Sequence, residues 1–343
     1  MIRTDGQGLI GLDLGTSSVK LVELSRSGDN YELERLALVP VSPGDHREAV
    51  RRALSMVLES ESVASRRVAT SVSGPHVAVR VLRFPELSGK EIEGAVWYEG
   101  GQVIAFGIDD SYVDYSVLET VKAASEEDSG RTDVLFVAAC KTEVDWRADM
   151  LRESGLEPRF VGVDMLVLMD AALKEPDTPA TLAVLNVGAV GTGIGITQGG
   201  GTPFVRDLEM GGNVFTEVIA DQMGISPTEA ETTKVGGVGW TPETQAAVDS
   251  VIRRLVAEVT RSMVYYQTRK HGAKVERILL CGGGSRLHGL RESLEQSLDT
   301  PVRQWSPMSQ VHVDASRFDV PSVEQLSPFV ALASALAMRT EVA

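Results

Sequence analysis

After a polar start, Met1–Gly8, apolar runs of strand length broken by glycine and hydroxyl residues fill the chain from Leu9 to Val39. Leu9–Leu24 reads as two strands folded about Gly15-Thr16-Ser17-Ser18, and the alternation in Tyr31–Val39 adds a third antiparallel strand. Pro40–Gly44 is a turn, and Asp45 caps a helix whose Val50, Leu54, Val57 and Leu58 fall on one face. Arg67–Val72 and Val77–Val81 read as strands around Ser73-Gly74-Pro75-His76. Strands and a helix in this order predict an α/β lobe.

From Phe84-Pro85 the pattern loosens. Ser88–Gly101 has helical spacing but carries Gly94, Gly100 and Gly101, so its end should be loose. Tyr112–Glu119 and Val134–Ala139 read as strands around the charged link Ala123–Arg131. Thr142–Ser154 is a helix closed by Gly155, Pro158–Val163 a strand and Asp164–Leu173 a helix. Residues 85–162 are expected to form an inserted small α+β subdomain behind a first lobe of residues 1–84, with 163–180 as the connecting helix.

A second lobe is expected over residues 181–321. It opens with another hairpin, followed by a strand at Pro203–Leu208 and a helix from Gly211-Gly212 to Met223. A short helix, Thr228–Lys234, ends at Gly236-Gly237. Thr241–His271 reads as one long helix, because Val248, Val251, Ile252, Leu255, Val256, Val259 and Met263 follow the helical period. Ile278–Cys281 is a strand and His288–Leu298 a helix. An Ala-rich helix, Ser327–Met338, lies in a segment 322–343 that returns to the first lobe.

Two of these turns repeat one device. The first, Gly11-Leu-Asp13-Leu-Gly15-Thr16-Ser17-Ser18-Val-Lys20, supplies glycine for close approach, hydroxyl and N–H donors, and a carboxylate, Asp13, for a metal ion. Lys20 adds a positive charge or merely faces solvent. The second, Asn186-Val-Gly188-Ala189-Val-Gly191-Thr192, mirrors the donors with Gly188 and Thr192 but puts an amide, Asn186, where the first has Asp13. An amide hydrogen-bonds but carries no charge and cannot act as a base. A third glycine run, Gly282-Gly283-Gly284-Ser285, follows a strand, and there a flat ring would approach the backbone or the chain would simply turn. Glu231 and Lys234, one helical turn apart, fit two ribose hydroxyls, although by itself the pair reads more readily as a solvated ion pair worth about 0.2–0.5 kcal/mol. The histidines show no metal-ligand spacing, and neither a Ser–His–Asp grouping nor a GxxxxGK[ST] run is present.

Charge and composition narrow the partners. The net charge of −15 opposes non-specific nucleic-acid binding, while a phosphate held by backbone N–H groups remains compatible with it. Cys140 and Cys281 lie in apolar runs without CxxC spacing, which points to a reducing compartment. No signal-peptide pattern and no apolar run of spanning length is visible, so the expected location is cytoplasmic.

Taken together, the motifs resemble the actin-like ATPase superfamily, a two-lobed α/β fold with ribonuclease-H-like lobes. Within it the chain is similar to the PilM family of type IV pilus assembly proteins, related to the cell-division protein FtsA. The residues that carry this resemblance are Gly11–Leu24, Phe84–Phe106, Ala138–Leu156, Gly211–Lys234 and Ile278–Leu290. The resemblance implies ATP or ADP with Mg²⁺ as ligand. Asp13, Gly15, Thr16, Ser17, Ser18 and Lys20 would form the first phosphate and metal site. Gly188, Ala189 and Thr192 would form the second, with Asp164 and Asn186 near the reacting end. Gly211, Gly212, Glu231 and Lys234 would face the nucleoside, and Gly282–Ser285 the adenine. Two departures stand out: the family's second hairpin usually begins with Asp, not Asn186, and Glu99-Gly100-Gly101-Gln102 replaces a Glu-Ala-Glu-Gln-like run.

The resemblance also implies a partner, the N-terminal cytoplasmic segment of the single-span pilus protein PilN, besides other platform and motor proteins. Trp97, Tyr98, Phe106 and Tyr112 cluster in a chain with only 5% aromatics and are the expected peptide anchors, Phe106 fitting the subdomain's own core better. The chain stops at Ala343 soon after its Ala-rich helix, without the amphipathic tail of FtsA, so membrane recruitment is expected through a partner rather than by insertion. The expected function is an ATP-binding assembly adaptor with weak or no hydrolysis. An active ATPase or small-molecule kinase is the alternative, and a secretion-system scaffold with a transmembrane helix is disfavoured.

Overall fold

Alternate apolar side chains and register pairing build three sheets. The computed structural model describes residues 8–28, 30–60, 63–87, 89–121, 130–234, 239–269 and 272–339. The expected charged link (residues 123–129 of it), the Gly236-Gly237 stop and the polar ends of the chain lie outside these residues.

In the first lobe, β1 (Ile10–Leu14), β2 (Ser18–Ser27) and β3 (Asn30–Pro40) form an antiparallel meander. Helix α1 (His46–Ser60) follows, its start capped by Asp45, whose carboxylate accepts the Glu48 N–H at 3.0 Å. Strand β4 (Arg67–Val72) pairs parallel with β1. A three-stranded sheet is then built from β5 (Val77–Phe84), β6 (Ser111–Val121) and β7 (Arg131–Cys140), with α2 (Gly89–Val103) packed on one face. The chain re-enters the first lobe through α3 (Lys141–Glu153) and β8 (Glu157–Val163), and α4 (Asp164–Ala172) leads across.

The second lobe contains β9 (Thr181–Val187), β10 (Thr192–Gln198) and β11 (Phe204–Leu208), then α5 (Gly212–Met223), α6 (Pro227–Lys234) and the long α7 (Pro242–Arg269). Next come β12 (Arg277–Cys281), α8 (Leu290–Leu298), β13 (Val302–Gln304), β14 (Val311–His312), α9 (Val320–Leu326) and α10 (Ala331–Ala337). The two large sheets run β14-β3-β2-β1-β4-β8 and β11-β10-β9-β12-β13.

Helices α4 and α10 lie between these sheets. Met165, Leu168 and Met169 of α4 and Leu332, Ala335 and Leu336 of α10 share one core with Ala69, Leu182, Val184 and Leu279. Gly11 explains how closely α10 lies on β1: a Cβ there would overlap the backbone at Ala333 and Ala337.

Three expected boundaries shift. Val77–Phe84, expected within the first lobe, pairs along its whole length with β7 and belongs to the small sheet. Conversely, α3 and β8, expected in the insert, belong to the first lobe: Met150 and Leu151 enter its core, and β8 pairs with β4. Val311–His312, expected in the second lobe, pairs with β3 in the first. The expected helix Ser327–Met338 is shorter, α10 alone, and a separate short helix, α9, precedes it. Pairing partners distant in sequence decide all three boundaries, and local periodicity does not encode them.

Candidate functional site

The first hairpin places Asp13 directly opposite Lys20, and their side chains form an ion pair at 2.8 Å. Lys20 therefore bends over the turn instead of facing solvent. Gly15 makes room for it, since a Cβ there would stand 2.9 Å from both Lys20 Nζ and Ser18 O. Beyond the pair, Thr16 and Ser17 are exposed at the tip, and their hydroxyls carry no hydrogen bond among the described residues. Ser18 is buried.

Asp164, the first residue of α4, faces this hairpin. Burial, with the Asp13 charge added, pushes its carboxyl up to about 6, against a counter-effect from the Ser71 and Ser73 hydroxyls and Arg147. Two carboxylates thus share a polar corner with one lysine. Ser71 and Ser73 are residues that sequence reasoning passed over. Their only local signal was a pair of hydroxyls two apart where the β4 strand ends.

The second hairpin is built differently at its tip. Gly188 N–H is held by Gly191 O at 2.9 Å, and the Thr192 hydroxyl donates to Met210 O at 2.7 Å. Both expected phosphate donors are thus engaged inside the lobe, a correction to the mirrored-donor reading. The reason is the helix that follows: α5 begins against the turn, with Gly212 N–H on Gly188 O and Asn213 N–H on Ala189 O, each at 2.8 Å. Gly211 is required there, because a Cβ would stand 2.6 Å from Ala189 O.

Asn186 pairs with Gly193 on one side and Cys281 on the other, and its Oδ1 lies 3.9 Å from the Cys281 thiol. Burial pushes that thiol far above its ordinary value, so it stays protonated. Gly282 has φ +83°, and a Cβ there would stand 2.5 Å from Asn186 Oδ1 and Val187 O. The triple glycine therefore packs against the second hairpin, while Gly283 lies under the Phe329 ring and buried Ser285 accepts from Gln304.

Glu231 and Lys234 are not a solvated pair. Lys234 is buried and donates to Glu231 Oε2 at 2.5 Å, Thr216 Oγ1 at 3.0 Å and Gly212 O at 3.3 Å. Thr216 in turn donates to the same Glu231 oxygen at 2.6 Å. The lysine fastens α6 to the start of α5, which leaves the Glu231 carboxylate, 58% exposed, as the accessible member.

The insert shows its aromatics to solvent. Trp97, Tyr98 and Tyr112 are exposed, Tyr112 donating to Asp145 at 2.9 Å, whereas Phe106 packs against the small core. Among the described residues no group of three or more His, Cys, Asp or Glu could hold a metal by itself, and no helix is long and apolar enough to cross a membrane.

Comparison with known proteins gives this geometry a family. A family model described as type IV pilus assembly protein PilM matches residues 11–341. Among solved structures, a PilM-PilN type IV pilus biogenesis complex matches with TM-score 0.83 and 29% identity over 97% of this chain and 98% of that one. The ethanolamine utilization protein EutJ from Carboxydothermus hydrogenoformans matches with TM-score 0.54 and 16% identity, over 98% of this chain and 91% of that one. MreB5 of Spiroplasma citri bound to ADP matches with TM-score 0.51 and 11% identity, over 96% and 94%. The last two speak for the actin-like ATPase fold alone. The chain belongs to the PilM family of type IV pilus assembly proteins.

Proposed function

We infer that this protein is a nucleotide-binding adaptor of the type IV pilus assembly platform, holding ATP or ADP with Mg²⁺ between its lobes. The observation that carries the reading is the corner formed by Asp13, Lys20 and Asp164 beside the free hydroxyls of Thr16 and Ser17. Two carboxylates that repel each other favour a cation between them. Two carboxylates suit Mg²⁺, which keeps much of its water and takes phosphate oxygens as its other ligands. Mg²⁺ would neutralise phosphate charge there. Lys20 and the first turn would hold the outer phosphates, and the N-terminal turn of α5 with Glu231 would hold the sugar. The triple glycine and the Phe329 ring would bound the base.

Hydrolysis is slow or absent in this reading. Asn186 offers no negative charge to polarise a water, whereas Asp164, beside Asp13, does. In this reading any slow turnover would work through Asp164. The docking function is assigned to the insert, whose exposed Trp97, Tyr98 and Tyr112 suit the N-terminal cytoplasmic segment of PilN, the partner in the similar complex. Such docking would bring the protein to the inner membrane.

Titration with Mg²⁺–ATP and Mg²⁺–ADP tests the nucleotide reading. Wild type is expected to bind and to melt at a higher temperature when loaded, by mass action. Asp13→Ala is expected to lose both effects, and undiminished affinity in that variant would remove the basis of the assignment.

A further inference from the structure

The strand register puts a carboxylate in the row where the second hairpin lacks one. Gly193 of β10 lies opposite Asn186 of β9 on one side and opposite Asp207 of β11 on the other. Residues in one row across antiparallel strands point to the same face of the sheet. That face is the one turned to the first lobe, because Leu182 and Val184 of β9, Val205 of β11 and Cys281 of β12 share the core around α4. Arg206 points to the opposite face, where it donates to Ser262 of α7 at 2.9 Å. Asp207 is left with no ion-pair partner among the described residues.

Glycine at position 193 keeps the space between Asn186 and Asp207 open. A Cβ there would stand 2.5 Å from Met165 Sδ and 3.6 Å from Asp207 Oδ1, so the carboxylate leans over the glycine toward Asn186. The two residues are two strand spacings apart, roughly 10 Å between backbones. From the first-lobe side, Gly74, at φ +85° in the turn after β4, donates its N–H to the Asp207 carboxylate. The residue before it, Ser73, holds Asp164 through its hydroxyl. Adjacent residues of one turn thus hold two carboxylates, one from the connecting helix and one from the second lobe. Burial raises the Asp207 carboxyl against the effect of the Gly74 N–H, so the negative charge there is poorly neutralised, as it is at Asp164.

We propose that Asp207 supplies, from the neighbouring strand, the negative charge that Asn186 does not, and serves as the second lobe's carboxylate toward the Mg²⁺ of the bound nucleotide. It would act through the ion's water, since Mg²⁺ dehydrates reluctantly and outer carboxylates orient what it keeps. Gly193 belongs to the arrangement, because a side chain there would fill the space across which the carboxylate leans. The proposal rests on the nucleotide reading and adds a residue of the second lobe to its metal side.

The test measures the affinity of the full chain for a fluorescent ADP analogue in Mg²⁺ and in EDTA. The ratio of the two, taken within each variant, isolates the metal. Asp207→Asn keeps an oxygen for Gly74 N–H and removes only the charge, and melting of the nucleotide-free protein in EDTA checks its fold. The variant should lose about tenfold or more of the Mg²⁺ advantage, with an affinity in EDTA equal to or above that of wild type. Asp207→Asn combined with Asn186→Asp returns the carboxylate to β9 and should restore most of that advantage, which a merely structural Asp207 would not allow. An unchanged Mg²⁺ advantage in Asp207→Asn, or a double variant no better than the single one, overturns the proposal while the nucleotide reading stands. Wild type that binds ADP equally with and without Mg²⁺ overturns the proposal and the metal part of that reading. Wild type that binds no ADP overturns both.

Discussion

Asp164→Asn tests whether the polar corner is strained without a cation. The wild-type carboxyl titrates at about 6 instead of 3.8, chiefly because of burial and then because of the Asp13 charge. A raised value means that the folded chain binds a proton more tightly than the unfolded one. The associated stability is fully present below about pH 4 and is lost as pH rises through about 6. The difference between the two values corresponds to about 3 kcal/mol. The asparagine keeps the shape and a hydrogen-bonding oxygen for Ser71 and Ser73 but carries no charge. In urea unfolding with EDTA and without nucleotide, the variant should match wild type near pH 4. By pH 8 it should be more stable by up to about 3 kcal/mol. Mg²⁺–nucleotide should narrow that gap by stabilising wild type selectively. A difference that stays constant from pH 4 to 8, or a variant less stable at pH 8, would refute the strained-corner argument.

Gly11→Ala should destabilise the protein by about 3 kcal/mol, at the upper end of overpacking effects, and should expose the C-terminal helix to limited proteolysis. Asn186→Asp should raise phosphate release in a steady-state assay, and an unchanged rate would show that the amide is not what limits turnover. Lys234→Met should lower stability by about 1–3 kcal/mol, because the Gly212 carbonyl loses its buried donor and Glu231 and Thr216 lose their shared cation. Chemical denaturation measures that loss, and a variant as stable as wild type would deny the lysine its fastening role.

Hairpin positions were legible because glycine and hydroxyl tips between apolar strands are local signals. Asp13, Gly15 and Lys20 meet where the sequence places them, and Asp45 caps its helix as its position predicts. Non-local contacts were not legible. Nothing in Val77–Phe84 announces β7 as its partner, since alternating strands look alike in any sheet. Nothing near Gly188 and Thr192 reveals that α5 and Met210 engage the second hairpin from outside. The Glu231–Lys234 spacing points to a surface ion pair, and only the arrival of Thr216 and the Gly212 carbonyl makes it a junction around a buried lysine. Gly11 looked like one more hairpin glycine, yet its requirement comes from a helix more than three hundred residues later in the chain.

Chromatography of the nucleotide released from purified, denatured protein tests the central claim most directly. The account predicts adenine nucleotide in stoichiometric amount, either as purified or after incubation with Mg²⁺–ATP and desalting, and its absence from Asp13→Ala. Wild type that retains no adenine nucleotide under either condition would contradict it.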